Sequence, residues 1–307
     1  MADYTTIDDP SAFFQTTLYT GNGSTTHAIT NGGNSDLQPD MVWIKDRGAA
    51  NWHSITDVAR GHSKAIFPND TAAEDTSNAY VKAFNSDGFT LGSAGSDVNA
   101  NSNTYVSWQW KEQAGVFDIV SYTGNGSART ISHNLGAVPK MMIIKKRNTT
   151  APWSVGHASL GANQVLELDE SDAVATDNSY WNNTRPTSSV FSVGTDGNQN
   201  TNTHTYVIYL FGNKQGVSKM GSYTGNGNAN GEFIYTGFKP RWIMIKGTNI
   251  ARNWGINDTK RSPINQTQDS LYSNVADAET GSGNYIDFLS NGFKLRDTAL
   301  TMNGAYN

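Results

Sequence analysis

Three times along the chain a proline is followed by a short apolar run that ends on a lysine. The runs are Met41-Val42-Trp43-Ile44-Lys45, Met141-Met142-Ile143-Ile144-Lys145 and Trp242-Ile243-Met244-Ile245-Lys246, behind Pro39, Pro139 and Pro240. Four apolar positions in succession, closed by a charge, predict a strand buried on both faces. Proline suits the entry to such a strand because it donates no ladder hydrogen bond. Seven or eight residues after each lysine stands a lone tryptophan, Trp52, Trp153 or Trp254, opening a second run with alternate apolar residues. Phe-centred strands follow at Gly88-Phe89-Thr90-Leu91, Val190-Phe191-Ser192-Val193 and Gly292-Phe293-Lys294-Leu295. The turns Ser86-Asp87-Gly88 and Ser290-Asn291-Gly292 predict tight hairpins, with Phe84 and Phe89 on paired strands. Thr104–Trp110 and Thr205–Phe211 read as closing strands. In the first, Val106, Trp108 and Trp110 alternate with polar residues, which predicts one solvated face.

These elements belong to a repeat announced by one pentapeptide. Tyr-Thr-Gly-Asn-Gly begins at Tyr19, Tyr122 and Tyr223, at offsets of 103 and 101 residues. That period is too long for a solenoid unit and suits a small domain. The fold class expected is all-β, with three tandem β-sandwich domains of about 100 residues. Residues 1–14 form an N-terminal docking arm, and repeats occupy 15–113, 114–215 and 216–307. The links around Gln113-Ala114-Gly115 and Asn213-Lys214-Gln215-Gly216 are short, so neighbouring copies are held in contact or in a fixed row. Asp70 to Phe84 is the best helical window, and it is weak.

Copy three departs from the frame at its end. Phe293 is followed ten residues later by Asn303, as Phe89 is by Asn99, but Asn307 comes before any counterpart of Tyr105. The closing strand is absent: either the sequence is truncated, the favoured reading, or another chain supplies the strand. The 307-residue chain made alone is then expected to aggregate or to lose order in copy three before copies one and two.

Composition narrows the function classes. There is no cysteine, which excludes disulfides, thiolate zinc sites and a cysteine nucleophile. The first ten residues lack the basic and apolar regions of a signal peptide, and no segment approaches the roughly 20 apolar residues of a membrane span. A net charge of −5 argues against nucleic acid, and the basic cluster Lys145-Lys146-Arg147 reads as surface capping of a strand end. The arm, with Asp3, Asp8 and Asp9 around Tyr4 and Ile7, cannot bury much alone. Its candidate docking residues are Tyr4, Ile7, Asp8, Asp9, Phe13 and Phe14.

No convergent catalytic set emerges. Glu167, Asp169, Glu170 and Asp172 crowd one stretch of copy two and read as a solvated loop, and Gly21-Asn22-Gly23 reads as a β-turn, since no helix pattern follows it. No cofactor, metal or catalytic residue is expected. The aromatic residues Trp52, Tyr105, Trp108, Trp153, Tyr180, Trp181 and Trp254 have the flat faces used to stack on sugars. Because Trp52, Trp153 and Trp254 recur at one repeat position, core packing is the stronger reading for them. Tyr180 and Trp181, in an Asn-rich stretch of copy two alone, are the candidate surface contact.

The pentapeptide, Pro39–Arg47, Asp57-Val58-Ala59-Arg60-Gly61, Ser86–Gly92 and the opening Thr6–Gln15 resemble a repeat seen in tail-fibre and virion structural proteins of tailed phages, often marine and cyanobacterial. Copy one carries the resemblance best; copies two and three keep its skeleton. It implies a virion location, no catalysis, other virion proteins as partners, a host-surface glycan as a further partner, and a homo-oligomer, by analogy a trimer. The alternative is a carbohydrate-binding or polysaccharide-depolymerising protein.

Overall fold

The computed structural model describes residues 7–77, 79–92, 95–281, 283, 285–298 and 300–305. It is all-β, with antiparallel sheets and, among the described residues, four single-turn α-helices and one 3-10 turn. Copy one contributes β1 (Phe14–Thr20), β2 (His27–Ile29), β3 (Met41–Asp46), β4 (Ser54–Asp57), β5 (Val81–Asn85), β6 (Gly88–Leu91) and β7 (Thr104–Trp110). Copy two contributes β8 (Phe117–Thr123), β9 (Arg129–Ser132), β10 (Met141–Lys146), β11 (Ser154–His157), β12 (Gln164–Glu167), β13 (Ala175–Thr176), β14 (Val190–Val193) and β15 (Thr205–Phe211). Copy three contributes β16 (Phe233–Tyr235), β17 (Trp242–Ile245), β18 (Gly255–Asp258), β19 (Leu271–Tyr272), β20 (Ile286–Leu289) and β21 (Gly292–Leu295).

Each copy places an inner sheet against a smaller outer one. The inner orders are β1-β7-β3-β4, β8-β15-β10-β11-β12-β13 and β17-β18-β19; the outer ones are β2-β6-β5, β9-β14 and β16-β21-β20. The alternation along β3 explains its unbroken apolar run. Val42 and Ile44 face the outer sheet of copy one, with Phe89 and Leu91. Met41 and Trp43 face the other way, into a core that also holds Ile143, Tyr209 and Phe211 of copy two and Trp254 and Ile256 of copy three. Both faces are dry, so every side chain of the run must be apolar. The three copies therefore share one core besides the three within the sandwiches.

Several expectations change at this level. β3 and β10 are central strands, but β17 lies at a sheet edge. Phe84 pairs with Phe89 as expected, and Gly88 has φ of 98°, a turn geometry glycine allows. Among its described residues the window 70–84 holds no helix; it runs into β5. The polar face of β7 is buried, not solvated. Gln109 Nε2 donates to Asn31 Oδ1 at 2.6 Å and to Ser107 Oγ at 3.2 Å, and Asn31 Nδ2 returns a bond to Gln109 Oε1 at 3.0 Å. The sequence shows the polarity of Ser107 and Gln109 but not the distant partners that satisfy them.

Candidate functional site

In copies one and two the pentapeptide is the end of β1 or β8 running into a loop. In all three copies its asparagine is held by another 75 to 77 residues later in sequence. Asn22 N donates to Asn99 Oδ1 at 3.1 Å, Asn125 N to Asn200 Oδ1 at 3.0 Å, and Asn226 N to Asn303 Oδ1 at 3.0 Å. Each clamping amide also donates to the loop: Asn99 to Ser24 O, Asn200 to Ser127 O and Asn303 to Asn228 O, at 2.9, 2.7 and 2.7 Å. A side chain at Gly21, Gly124 or Gly225 would overlap backbone next to the clamp, which fixes glycine there. Recurrence at one repeat position was the signal that could have found these asparagines.

The junctions between copies repeat one pattern, and they run from one to two, two to three and three back to one. Trp153 Nε1 donates to Phe67 O at 2.9 Å, and Trp254 Nε1 to Glu167 O at 2.9 Å. At the third junction the donor is His53, 3.1 Å from Tyr272 O. Its Nδ1 accepts from Trp43 Nε1 at 2.9 Å, so Nε2 carries the proton, and burial holds its pKa well below the usual histidine range. The strand register equates His53, not Trp52, with Trp153, because Ser54 and Ser154 sit opposite Ile44 and Ile144. Trp52 is thus displaced by one position and 39 % exposed against Phe67, whereas Trp153 and Trp254 are core. Backbone bonds join the same junctions: Glu74 N to Arg147 O, Val174 N to Thr248 O and Glu279 N to Arg47 O, at 2.7, 2.8 and 2.8 Å.

The strand-end lysines are not surface caps: Lys45 and Lys145 are buried and Lys246 is half-buried. Lys145 Nζ donates to Thr71 O across the junction and to Ala151 O, at 2.8 and 2.5 Å. Lys246 Nζ does the same with Ser171 O and Arg252 O, at 2.8 and 2.7 Å. Lys45 Nζ takes Asp46 O and Ala49 O of its own copy, at 2.6 and 3.0 Å. Desolvation brings all three pKa values down to about 8. Arg147 is paired with Glu74 at 3.0 Å.

Two junctions also carry a chain of charges. Asp57 and Arg60 pair at 2.6 Å with side chains wholly buried; Arg60 reaches Glu74 at 3.0 Å, and Glu74 reaches Arg147 of copy two. Asp258, Arg261, Glu279 and Arg47 build the same chain between copies three and one, at 2.5, 2.7 and 2.7 Å. Closing strands complete both: Tyr209 Oη donates to Asp57 Oδ2 at 2.6 Å, and Trp108 Nε1 to Asp258 Oδ2 at 3.1 Å. The two-to-three junction has His157, Leu160, Val174 and Thr248 at the corresponding places.

That junction also holds a groove of about 1120 Å³. One wall is the open edge of β17 with residues 216–225; the other is copy two, at Ile143, His157 and Leu160. Trp43, Trp110 and Phe211 form its floor. Among the described residues, β17 has a partner strand on one side only.

The expected contact residues fall elsewhere. Tyr180 and Trp181 are buried in copy two's sandwich and do not offer a surface; Trp181 Nε1 donates to Gln164 O at 3.0 Å, and Asn198 Nδ2 donates to Tyr180 Oη at 3.3 Å. The indole only edges a cavity of about 280 Å³ beside His157 and Arg185. Tyr105 and Trp108 are fully buried. From Ile7 on, the arm is docked on its own chain, not left free. Ile7 is in the shared core, Phe13 and Phe14 pack against it, and Phe14 begins β1 opposite Trp110. Asp9 caps a short turn, its carboxylate accepting from Ser11 N at 2.9 Å and Ser35 Oγ at 2.6 Å, while Asp8 is exposed. Tyr4 lies outside the described residues. In the acidic stretch Asp169 accepts from Trp153 N at 2.8 Å, and burial pushes its pKa up to about 6. Among the described residues no group of three or more His, Cys, Asp or Glu side chains is placed to hold a metal ion.

The architecture is all-β, of the β-sandwich class, with the three copies of the sequence repeat joined by a ring of junctions around a common core. The chain belongs to the family of a domain of unknown function, DUF7483, whose model matches residues 9–306. No curated protein and no solved structure matches it.

Proposed function

We propose that this protein is a non-enzymatic structural component of a tailed-phage virion, a fibre, appendage or capsid decoration that presents its β units for assembly or host-surface adhesion. The observation that carries the reading is where the repeated polar groups go. Asn99, Asn200 and Asn303, the three strand-end lysines and the Asp57 and Asp258 chains all hold the chain to itself. Polar groups recur at equivalent places for rigidity, and rigid presentation is what a virion protein needs. The resemblance of the first copy to virion repeats points the same way. Mass spectrometry and immunogold labelling of particles from a phage that encodes this chain test it, with the chain expected at a fixed copy number per particle. Its absence from washed particles overturns the reading.

Carbohydrate binding has one observation in its favour. Phe233 and Tyr235 alternate along β16 and are 43 % and 61 % exposed, a pair of apolar faces on one side of a strand. Titration with host polysaccharide, with release of reducing ends followed in parallel, separates binding, cleavage and neither.

A further inference from the structure

We propose that the groove of copy three is a receptor for one β strand. The occupant is a seven-residue extended segment with the pattern of β7 and β15, inserted antiparallel to β17 between it and residues 218–224. The inference stands apart from any virion role.

Register defines the slot. β7 lies between β1 and β3, with Phe14 and Met41 both opposite Trp110. β15 lies between β8 and β10 in the same way, with Phe117 and Met141 opposite Phe211. The corresponding lines in copy three are Ser218–Thr224 and Trp242–Lys246, and the groove lies between them. In copies one and two the strand is anchored beyond both ends of its neighbour. Asp40 N and Arg47 N donate to Trp110 O and Thr104 O, and Lys140 N and Arg147 N to Phe211 O and Thr205 O, at 2.7–2.8 Å. The counterparts Arg241 N and Thr248 N make no such bond among the described residues. The volume also exceeds the roughly 300–1000 Å³ of an ordinary small-molecule pocket.

The walls specify the side chains. Position two of the strand is a tyrosine stacked on the pentapeptide tyrosine: Tyr105 on Tyr19 at 5.1 Å, Tyr206 on Tyr122 at 5.0 Å. Tyr223 keeps the bond from its hydroxyl to Met302 O, as Tyr19 does to Val98 O, but has no stacked ring among the described residues. Positions three, five and seven enter the shared core as Val106, Trp108 and Trp110, or Val207, Tyr209 and Phe211. The groove is bordered by Trp242, whose Nε1 is buried without a hydrogen-bond partner. Position five is distinctive. Where Trp108 and Tyr209 meet Asp258 and Asp57, a copy-three strand meets His157. His157 Nδ1 accepts from Ser159 N at 3.1 Å, so the neutral ring presents Nε2–H as a donor. A tyrosine oxygen accepts that proton; an indole N–H cannot. The slot therefore favours the β15 sequence over the β7 sequence.

The test uses the 307-residue chain and lysine-flanked synthetic peptides carrying residues 205–211, the same peptide with Phe or Trp at position five, and a scrambled sequence. Binding is read by calorimetry, and amide exchange is followed by mass spectrometry. Residues 218–224 and 242–247 are expected to gain at least tenfold protection with the 205–211 peptide, and the scrambled peptide to bind at least tenfold more weakly. Tyrosine at position five is expected to favour binding roughly fivefold over phenylalanine, a preference that His157→Ala removes while binding remains. Unchanged exchange in those two segments, equal binding of the scrambled peptide, or protection produced without peptide by self-association overturns the proposal.

Discussion

The junction between copies one and two and the junction between copies two and three are built on the same frame, yet only the first is ionic. Asp57, Arg60, Glu74 and Arg147 are replaced together by His157, Leu160, Val174 and Thr248. The ionic junction is the one that a closing strand seals, with Tyr209 donating a hydrogen bond to Asp57. The neutral one borders the open groove. Buried charges are tolerated only when every lone pair and proton has a partner, and the loss of one donor tips the balance towards apolar residues. Enclosure and charge therefore go together.

The most damaging way to probe this contrast is to break the ionic junction from one side. Arg60→Leu copies the residue found at the corresponding place in copy two, but leaves Asp57 buried beside Glu74 without its guanidinium. A loss of about 3–5 kcal/mol is expected in denaturant unfolding. A loss below about 1 kcal/mol would mean that the junction tolerates the copy-two solution without its three companion changes. On the neutral side, Leu160→Ala removes a buried side chain at the groove wall, at a cost of about 2–3 kcal/mol. That cost should shrink further if the groove walls relax inward.

A smaller effect is expected at the clamp. Asn200→Ala orphans Asn125 N and two loop carbonyls, costing about 1–3 kcal/mol, with faster amide exchange concentrated at residues 124–127. Asn303→Ala serves as the comparison in the copy whose strand is open, and its effect should stay within residues 225–228.

The least disruptive test is pH. Lys45, Lys145 and Lys246 titrate near 8 when folded and near 10.5 when unfolded. Between those values the unfolded chain binds more protons, so stability rises with pH across the window. Above pH 10 the unfolded tyrosines ionise first, since burial holds Tyr105 up to about 12, and stability falls again. Lys145→Met, read by urea midpoints at pH 8 and 10, should flatten the rise.

What was legible in the sequence follows the same division between local and distant causes. The runs at 41–45 and 141–145 announce strands with two dry faces because no polar side chain fits either face, and the turn at Gly88 follows from glycine's freedom. The shared core was not legible. A strand buried between two sheets of one unit and a strand buried between its own unit and a neighbour have the same pattern. Lys145 looked like a surface charge because the carbonyl that receives it, Thr71 O, belongs to another copy. Tyr180 and Trp181 looked exposed for their Asn-rich company, but a four-residue helix capped by Asp177 turns both rings inward. Trp52 counted as a repeat of Trp153 by spacing, and only strand register shows His53 in that place.

The bond between Glu279 N and Arg47 O closes the copies into a loop, and this changes how they come apart. An open row of repeats has end units with one neighbour each, which fray first and need special caps. In a closed loop each unit has two neighbours, and none can leave without breaking two junctions. Melting should be concerted, with a single calorimetric transition whose van't Hoff and calorimetric enthalpies agree. New chain ends cut at the 113–115 link, with the old ones joined by a flexible tether, should leave that transition in place.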